Sequence, residues 1–122
     1  MLVAEDDVLV RLMIADALRD QGLTVIEAAN ADEALSVLQS SAAVSLLLTD
    51  IQMPGNMDGL VLAAFVHETL PATKVILTSG VHPKDSLPAA AHAFFLKPYD
   101  VTALVGQVKE LLTDCESDGK RR

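Results

Sequence analysis

Short apolar runs alternate along the chain with longer stretches in which apolar residues recur at helical spacing, the pattern of parallel strands joined by crossover helices. Five runs have strand length: Met1–Ala4, Leu23–Ala28, Val44–Thr49, Lys74–Thr78 and Ala93–Leu96. Most are near-continuous in Val, Ile, Leu or Phe, as strands covered on both faces should be. A first helix is predicted over Val8 to Gln21, with Leu9, Leu12, Met13, Ala17 and Leu18 on one apolar stripe and Gly22 at the left-handed cap position. A second is predicted over Ala31 to Gln39. It follows Asn30, and Glu33 stands where a capping box needs an acid. Asp58 caps a third helix that reaches Thr69 and stops before Pro71. Asp100 caps a last one, in which Val101, Leu104, Val105, Val108, Leu111 and Leu112 keep the helical period.

Between the fourth and fifth runs the alternation fails. Pro83 and Pro88 fall where a fourth crossover helix belongs, so the segment from Gly80 to His92 holds no more than a short turn over Pro88 to His92. The polar stretch from Cys115 to Arg122 reads as a frayed tail, which leaves one domain over residues 1–114 and no linker or repeat.

The chain has 122 residues, 51% of them hydrophobic, enough for a core that needs neither disulfide nor structural metal; the single Cys115 has no partner. A formal net charge of -8 opposes direct binding to nucleic acid phosphates or to an anionic membrane surface, and the basic residues form no stripe. The longest apolar stretch, Leu60 to Val66, is far below the ~20 residues of a membrane-spanning helix. No basic leader precedes the first run, so the expected setting is soluble, reducing and cytoplasmic, with proteins as partners.

In an open parallel sheet, functional groups belong beyond the carboxyl ends of the strands. The first run ends in Glu5, Asp6 and Asp7, the third in Asp50, the fourth in Ser79 and the fifth in Lys97, so all of these gather at one edge. Clustered carboxylates repel and raise one another's pKa unless a cation neutralises them. An all-oxygen donor set without a His/Cys grouping suits Mg²⁺. With that ion present, a lysine and a hydroxyl form a receptor for phosphoryl oxygens, and Asp50 is the candidate nucleophile. Phosphoryl transfer to a carboxylate is the predicted chemistry. Positioning and charge neutralisation carry it, and an ionised Asp needs no general base. Separately, each residue has a plainer reading: a solvated N-cap for Glu5 and Asp6, a salt bridge for Lys97, a turn for Ser79. Asp50 is less easily dismissed, because it ends the apolar Leu46-Leu47-Leu48 run.

Four motifs, Leu2-Val3-Ala4-Glu5-Asp6-Asp7, Thr49-Asp50-Ile51-Gln52-Met53-Pro54 with Asp58-Gly59, Leu77-Thr78-Ser79-Gly80 and Leu96-Lys97-Pro98-Tyr99, together resemble the response-regulator receiver domain from Met1 to about Thr113. The resemblance implies an α/β, flavodoxin-like doubly wound sheet of five parallel strands in the order 2-1-3-4-5, with the fourth crossover helix shortened or irregular. It implies phosphorylation on Asp50 by a histidine kinase or histidine phosphotransfer protein, and Mg²⁺ held by Asp6, Asp50 and the Gln52 backbone carbonyl, with Glu5 acting through water. Lys97 and Ser79 would contact the phosphoryl group, the Lys97-Pro98 bond would be cis, and Ser79 and Phe94 would form a switch acting on a downstream protein. Gln52 and Val81 stand where the family tunes phosphoryl lifetime. The sequence departs from the family pattern in the short, proline-broken 80–92 segment, in Phe94 where a Tyr would carry a hydroxyl, and in Glu5 where Asp is usual. Two other readings are an Asp-nucleophile phosphohydrolase and a receiver used only for protein contacts. The first lacks an acid two residues beyond Asp50, where Gln52 stands.

Overall fold

In the computed structural model the described residues are 1–40, 43–53, 55, 57–81 and 88–120, with side chains described as far as residue 113. The elements run β1 (Leu2–Ala4), α1 (Val8–Asp20), β2 (Ile26–Ala28), α2 (Ala31–Gln39), β3 (Leu46–Asp50), α3 (Gly59–Thr69), β4 (Lys74–Ser79), β5 (Ala93–Leu96) and α4 (Val101–Lys120). All strand pairs are parallel and the sheet order is β2-β1-β3-β4-β5. Strand residues alternate between two core clusters, one on each side. Leu2, Ala4, Leu47, Val75 and Leu77 pack with α2 and α3, while Val3, Leu46, Leu48 and Ile76 pack with α1 and α4. Burial on both faces explains the nearly unbroken apolar sequence of these strands. No helix of the described residues is long and apolar enough to cross a membrane.

Helix ends follow local chemistry. Asp7 accepts the backbone N–H groups of Leu9 and Val10 at 3.0 and 3.2 Å, and Asp58 those of Leu60 and Val61 at 2.9 and 3.1 Å. Gly22 has a φ of 85°, and the N–H groups of Gly22 and Leu23 turn back to the carbonyls of Arg19 and Leu18. That turn shortens the second strand relative to its sequence pattern: the ladder with β1 starts only where Ile26 N–H meets Met1 O at 2.8 Å. Asn30 accepts from Glu33 N–H at 2.8 Å as expected, but the Glu33 carboxylate takes the N–H of Ala29 rather than that of Asn30.

The phase of α1 differs from the sequence expectation. Its buried residues are Ile14, Ala15 and Leu18, whereas Leu9, Leu12 and Met13 are exposed by 79%, 43% and 53%. The helix is apolar around more than one face, so periodicity selects a stripe without saying which one meets the sheet. The backbone of α4 is helical as far as Lys120, across part of the stretch expected as a tail. Between β4 and β5 the described residues hold a single turn, in which Ala91 N–H donates to Pro88 O at 3.0 Å; His82 and Pro83 lie outside the described residues.

His92 begins the β4–β5 pairing with both its backbone and its ring. Its N–H donates to Val75 O at 2.8 Å, and its Nδ1 accepts Val75 N–H at 3.0 Å. Only the neutral ring can accept. Partial burial, with Lys74 and His67 nearby, lowers the His92 pKa from its ordinary value. A folded-state pKa below the unfolded one gives stability that is full above about pH 6.5 and lost as pH falls. Between pH 7 and pH 5 the change in denaturant midpoint should therefore be less favourable in the wild type than in His92→Phe. Equal slopes would remove this role; the ring's exposure keeps the effect small.

Candidate functional site

Strand termination delivers the polar groups. Glu5 follows β1, Asp50 ends β3, Ser79 ends β4 and Lys97 follows β5, where Lys97 N–H extends the ladder to Ser79 O at 2.7 Å. Glu5, Asp50 and Ser79 are buried, with exposures of 3%, 5% and 0%; Asp6 is exposed. The Lys97-Pro98 peptide is cis, as the motif implies.

Lys97 Nζ sits between two carboxylates, 2.7 Å from Glu5 Oε1 and 3.0 Å from Asp50 Oδ2. Glu5 Oε2 also accepts Asp7 N–H at 3.0 Å. Burial pushes the carboxyls of Glu5 and Asp50 above their ordinary pKa values, and the shared ammonium only partly offsets it. Lys97 is itself desolvated, yet two carboxylates hold its pKa up. Asp50 Oδ1 is buried without a hydrogen-bond partner among the described residues. Glu5, Asp6 and Asp50 each bring an oxygen within 4.8 Å of the others. Three carboxylates against one ammonium, with an orphaned buried oxygen among them, form a donor set that fits a hard divalent cation.

Ser79 is occupied differently: its hydroxyl donates to Gln52 Oε1 at 2.6 Å and accepts Val81 N–H at 3.1 Å. Phe94 is half-buried against the core cluster of the α2–α3 side. The sequence candidates thus separate into a charged group of Glu5, Asp6, Asp50 and Lys97, a hydroxyl–amide pair of Ser79 and Gln52, and Phe94 packed below.

Three further residues shape the site, none of which has a role in it predicted from sequence. Arg11, on α1, donates to Glu5 O at 2.8 Å and pairs with Glu27 Oε1 at 3.3 Å, fixing the β1–α1 loop from its outer side. Gly59 lies so close to β3 that a Cβ there would fall 2.2 Å from Asp50 O. The Tyr99 hydroxyl is buried without a partner among the described residues, its pKa pushed up to about 12 chiefly by burial, and its ring meets Phe95 edge-on at 6.0 Å. Arg11 carries no spacing signal, and Tyr99, although it closes the Leu96-Lys97-Pro98-Tyr99 motif, has no predicted role there. Gly59 stands in the Asp58-Gly59 motif, but its steric reason appears only once α3 is laid against β3.

A doubly wound parallel sheet of this order, with acids, ammonium and hydroxyl at its carboxyl edge, defines a flavodoxin-like α/β domain with its chemistry at the switch point of the strand order. Residues 1–109 match the response regulator receiver domain. Over 117 residues the chain is 38% identical to the sensor kinase CckA of Brucella abortus, an alignment covering 91% of this chain and 12% of that protein. A CheY-like response regulator receiver domain protein from Methanospirillum hungatei superposes with a TM-score of 0.88 at 30% identity, covering 96% of this chain and 95% of that one. The response regulator TrrA of Thermotoga maritima, in a complex with Mg²⁺ and BeF, superposes with a TM-score of 0.81 at 28% identity over 90% of this chain and 96% of that one. The chain belongs to the response regulator receiver domain family of two-component signalling proteins.

Proposed function

We propose that Asp50 accepts a phosphoryl group from a phosphohistidine on a histidine kinase or histidine phosphotransfer protein, in a Mg²⁺-dependent reaction, and that the phosphorylated domain changes its contacts with a downstream protein. The observation that carries this reading is the Asp50 carboxylate itself. One oxygen is held by Lys97 at 3.0 Å and the other is buried with no side-chain partner among the described residues, at the edge where Glu5 and Asp6 converge. An Asp50 oxygen forms a bond to phosphorus as the phosphorus–nitrogen bond of the donor breaks, and the electron pair of that bond stays on the imidazole nitrogen. No proton leaves Asp50. Lys97 supplies a fixed positive charge beside the transferred oxygens, and Ser79 a hydroxyl at the neighbouring strand end. Asp6, Asp50 and the Gln52 backbone carbonyl, with Glu5 through water, would hold Mg²⁺, which supplies charge neutralisation to the phosphoryl oxygens.

Around this pocket α1 leaves Val8, Leu9, Leu12 and Met13 exposed, beside a cavity of about 310 Å³ lined by Val10, Met13, Lys97, Pro98 and Tyr99. An apolar rim next to the reacting carboxylate suits a helical phosphodonor. Incubation with acetyl phosphate and millimolar Mg²⁺ should add the mass of one phosphate, mapped to Asp50 and absent with EDTA. No mass gain would leave a protein-contact domain with an idle acidic pocket, and sustained release of free phosphate from a general phosphatase substrate would favour a phosphohydrolase.

Replacement of Lys97 by alanine should leave Mg²⁺ binding near normal while uncoupling occupancy of Asp50 from structural change. The measurement is the amide chemical-shift response to beryllofluoride with Mg²⁺. It should shrink to residues next to Asp50, and a full wild-type response in the variant would show that Lys97 does not transmit the signal.

A further inference from the structure

The Ser79 hydroxyl is fully buried, yet it is not free to serve the pocket. It gives its proton to Gln52 Oε1 across 2.6 Å and receives Val81 N–H across 3.1 Å. A serine carries one O–H, so a hydroxyl donating to Gln52 cannot also donate to an oxygen held on Asp50. The two partners differ in what they lose on separation. Gln52 is exposed, and its amide oxygen finds water as soon as the bond breaks; Ser79, at 0% exposure, has Gln52 as its proton acceptor among the described residues.

On the reading that Asp50 is the phosphoacceptor, we propose that the Gln52 side chain is a latch that holds Ser79 in its resting position, so that part of the free energy of occupying Asp50 is spent in breaking the Gln52–Ser79 bond. The latch joins the loop after β3 to the end of β4 across 27 residues of sequence. Its release reaches the segment after β4 through Val81, because a Ser79 hydroxyl that turns toward Asp50 withdraws the acceptor of Val81 N–H. Val81 is itself 62% exposed, at the edge of the pocket rather than in the core. Gln52 acts through Ser79 and is a positioning residue.

A double-mutant cycle tests this with the isotope-labelled full chain and beryllofluoride plus Mg²⁺ as the probe, comparing wild type, Gln52→Leu, Ser79→Ala and the double variant. Gln52→Leu should bind beryllofluoride about fivefold more tightly than wild type, the worth of one hydrogen bond that no longer has to be broken. In the Ser79→Ala background the same substitution should change affinity by less than about twofold, since no latch is left to release. In the ligand-free Gln52→Leu protein the Val81 amide resonance should already have moved toward its beryllofluoride-bound position. Gln52→Leu binding no more tightly than wild type, or a tightening of equal size in both backgrounds, overturns the latch. If wild type fails to bind beryllofluoride with Mg²⁺, the phosphoacceptor reading falls and the latch with it; if wild type binds and the coupling is absent, the latch alone falls.

Discussion

Asp50→Asn should gain no phosphate from acetyl phosphate and should melt at the same temperature as the wild type or higher. The first outcome follows from chemistry, because a neutral amide oxygen is too weak a nucleophile to displace the donor. The second follows from where the carboxylate sits. Burial raises the Asp50 pKa, against the pull of Lys97, so the ionised form is less favourable in the folded protein than in the unfolded chain. A raised folded-state pKa means that this group costs stability at neutral pH and that the cost is relieved as pH falls through the folded-state value. Asparagine keeps the shape and removes the charge, leaving Lys97 with Glu5 at 2.7 Å. In a domain of this size about 1 kcal/mol recovered is about 4 °C in melting temperature. Melts at pH 7 and near pH 4.5 check both parts, since the gain should shrink at the lower pH. A marked drop in melting temperature at pH 7 would mean that the carboxylate is better compensated than the geometry indicates.

Gly59→Ala should be the most damaging single-methyl change in the described chain. The added Cβ would lie 2.2 Å from Asp50 O, 2.9 Å from Asp50 C and 3.0 Å from Ile51 Cα. All three are backbone atoms, so no side chain can swing aside, and α3 must lift off the end of β3. That would stretch the bond from Gly59 N–H to Ile51 O, now 2.9 Å, and shift Asp50, the proposed phosphoacceptor. A loss of about 3 kcal/mol is expected, or about 12 °C in melting temperature. Gly106→Ala provides the contrast. A Cβ there meets nothing within 4 Å, in the interior of α4, so the same chemical change should stabilise by about 0.5–1 kcal/mol. Equal behaviour of the two variants would show that α3 can yield at no cost.

The strands and the charged cluster were legible because both depend on local signals. Apolar runs such as Leu46-Leu47-Leu48 mark buried parallel strands, and the polar residue that ends each run lands at the same edge once the strands are parallel. The order of the strands, by contrast, came from likeness to a family and not from periodicity. The phase of α1 was not legible, since a helix with Leu9, Leu12 and Met13 as well as Ile14, Ala15 and Leu18 offers more apolar surface than one side of a sheet can cover. The Ser79–Gln52 bond and the approach of Gly59 to Asp50 depend on loop path and on the distance between α3 and β3, which no spacing in the sequence encodes. Glu33 illustrates a finer limit: a shift of one residue in its backbone partner satisfies the same orphan donor chemistry.

Lys97 joins acids that lie 92 and 47 residues earlier in the chain. The ammonium can reach either partner only when the fifth strand is paired with the fourth. Until then Glu5 and Asp50 converge without their counter-charge, and the ground they share is exposed to water and to mutual repulsion. Charge balance at this edge thus reports completion of the sheet, since without the fifth strand in place Glu5 and Asp50 stand without their shared ammonium.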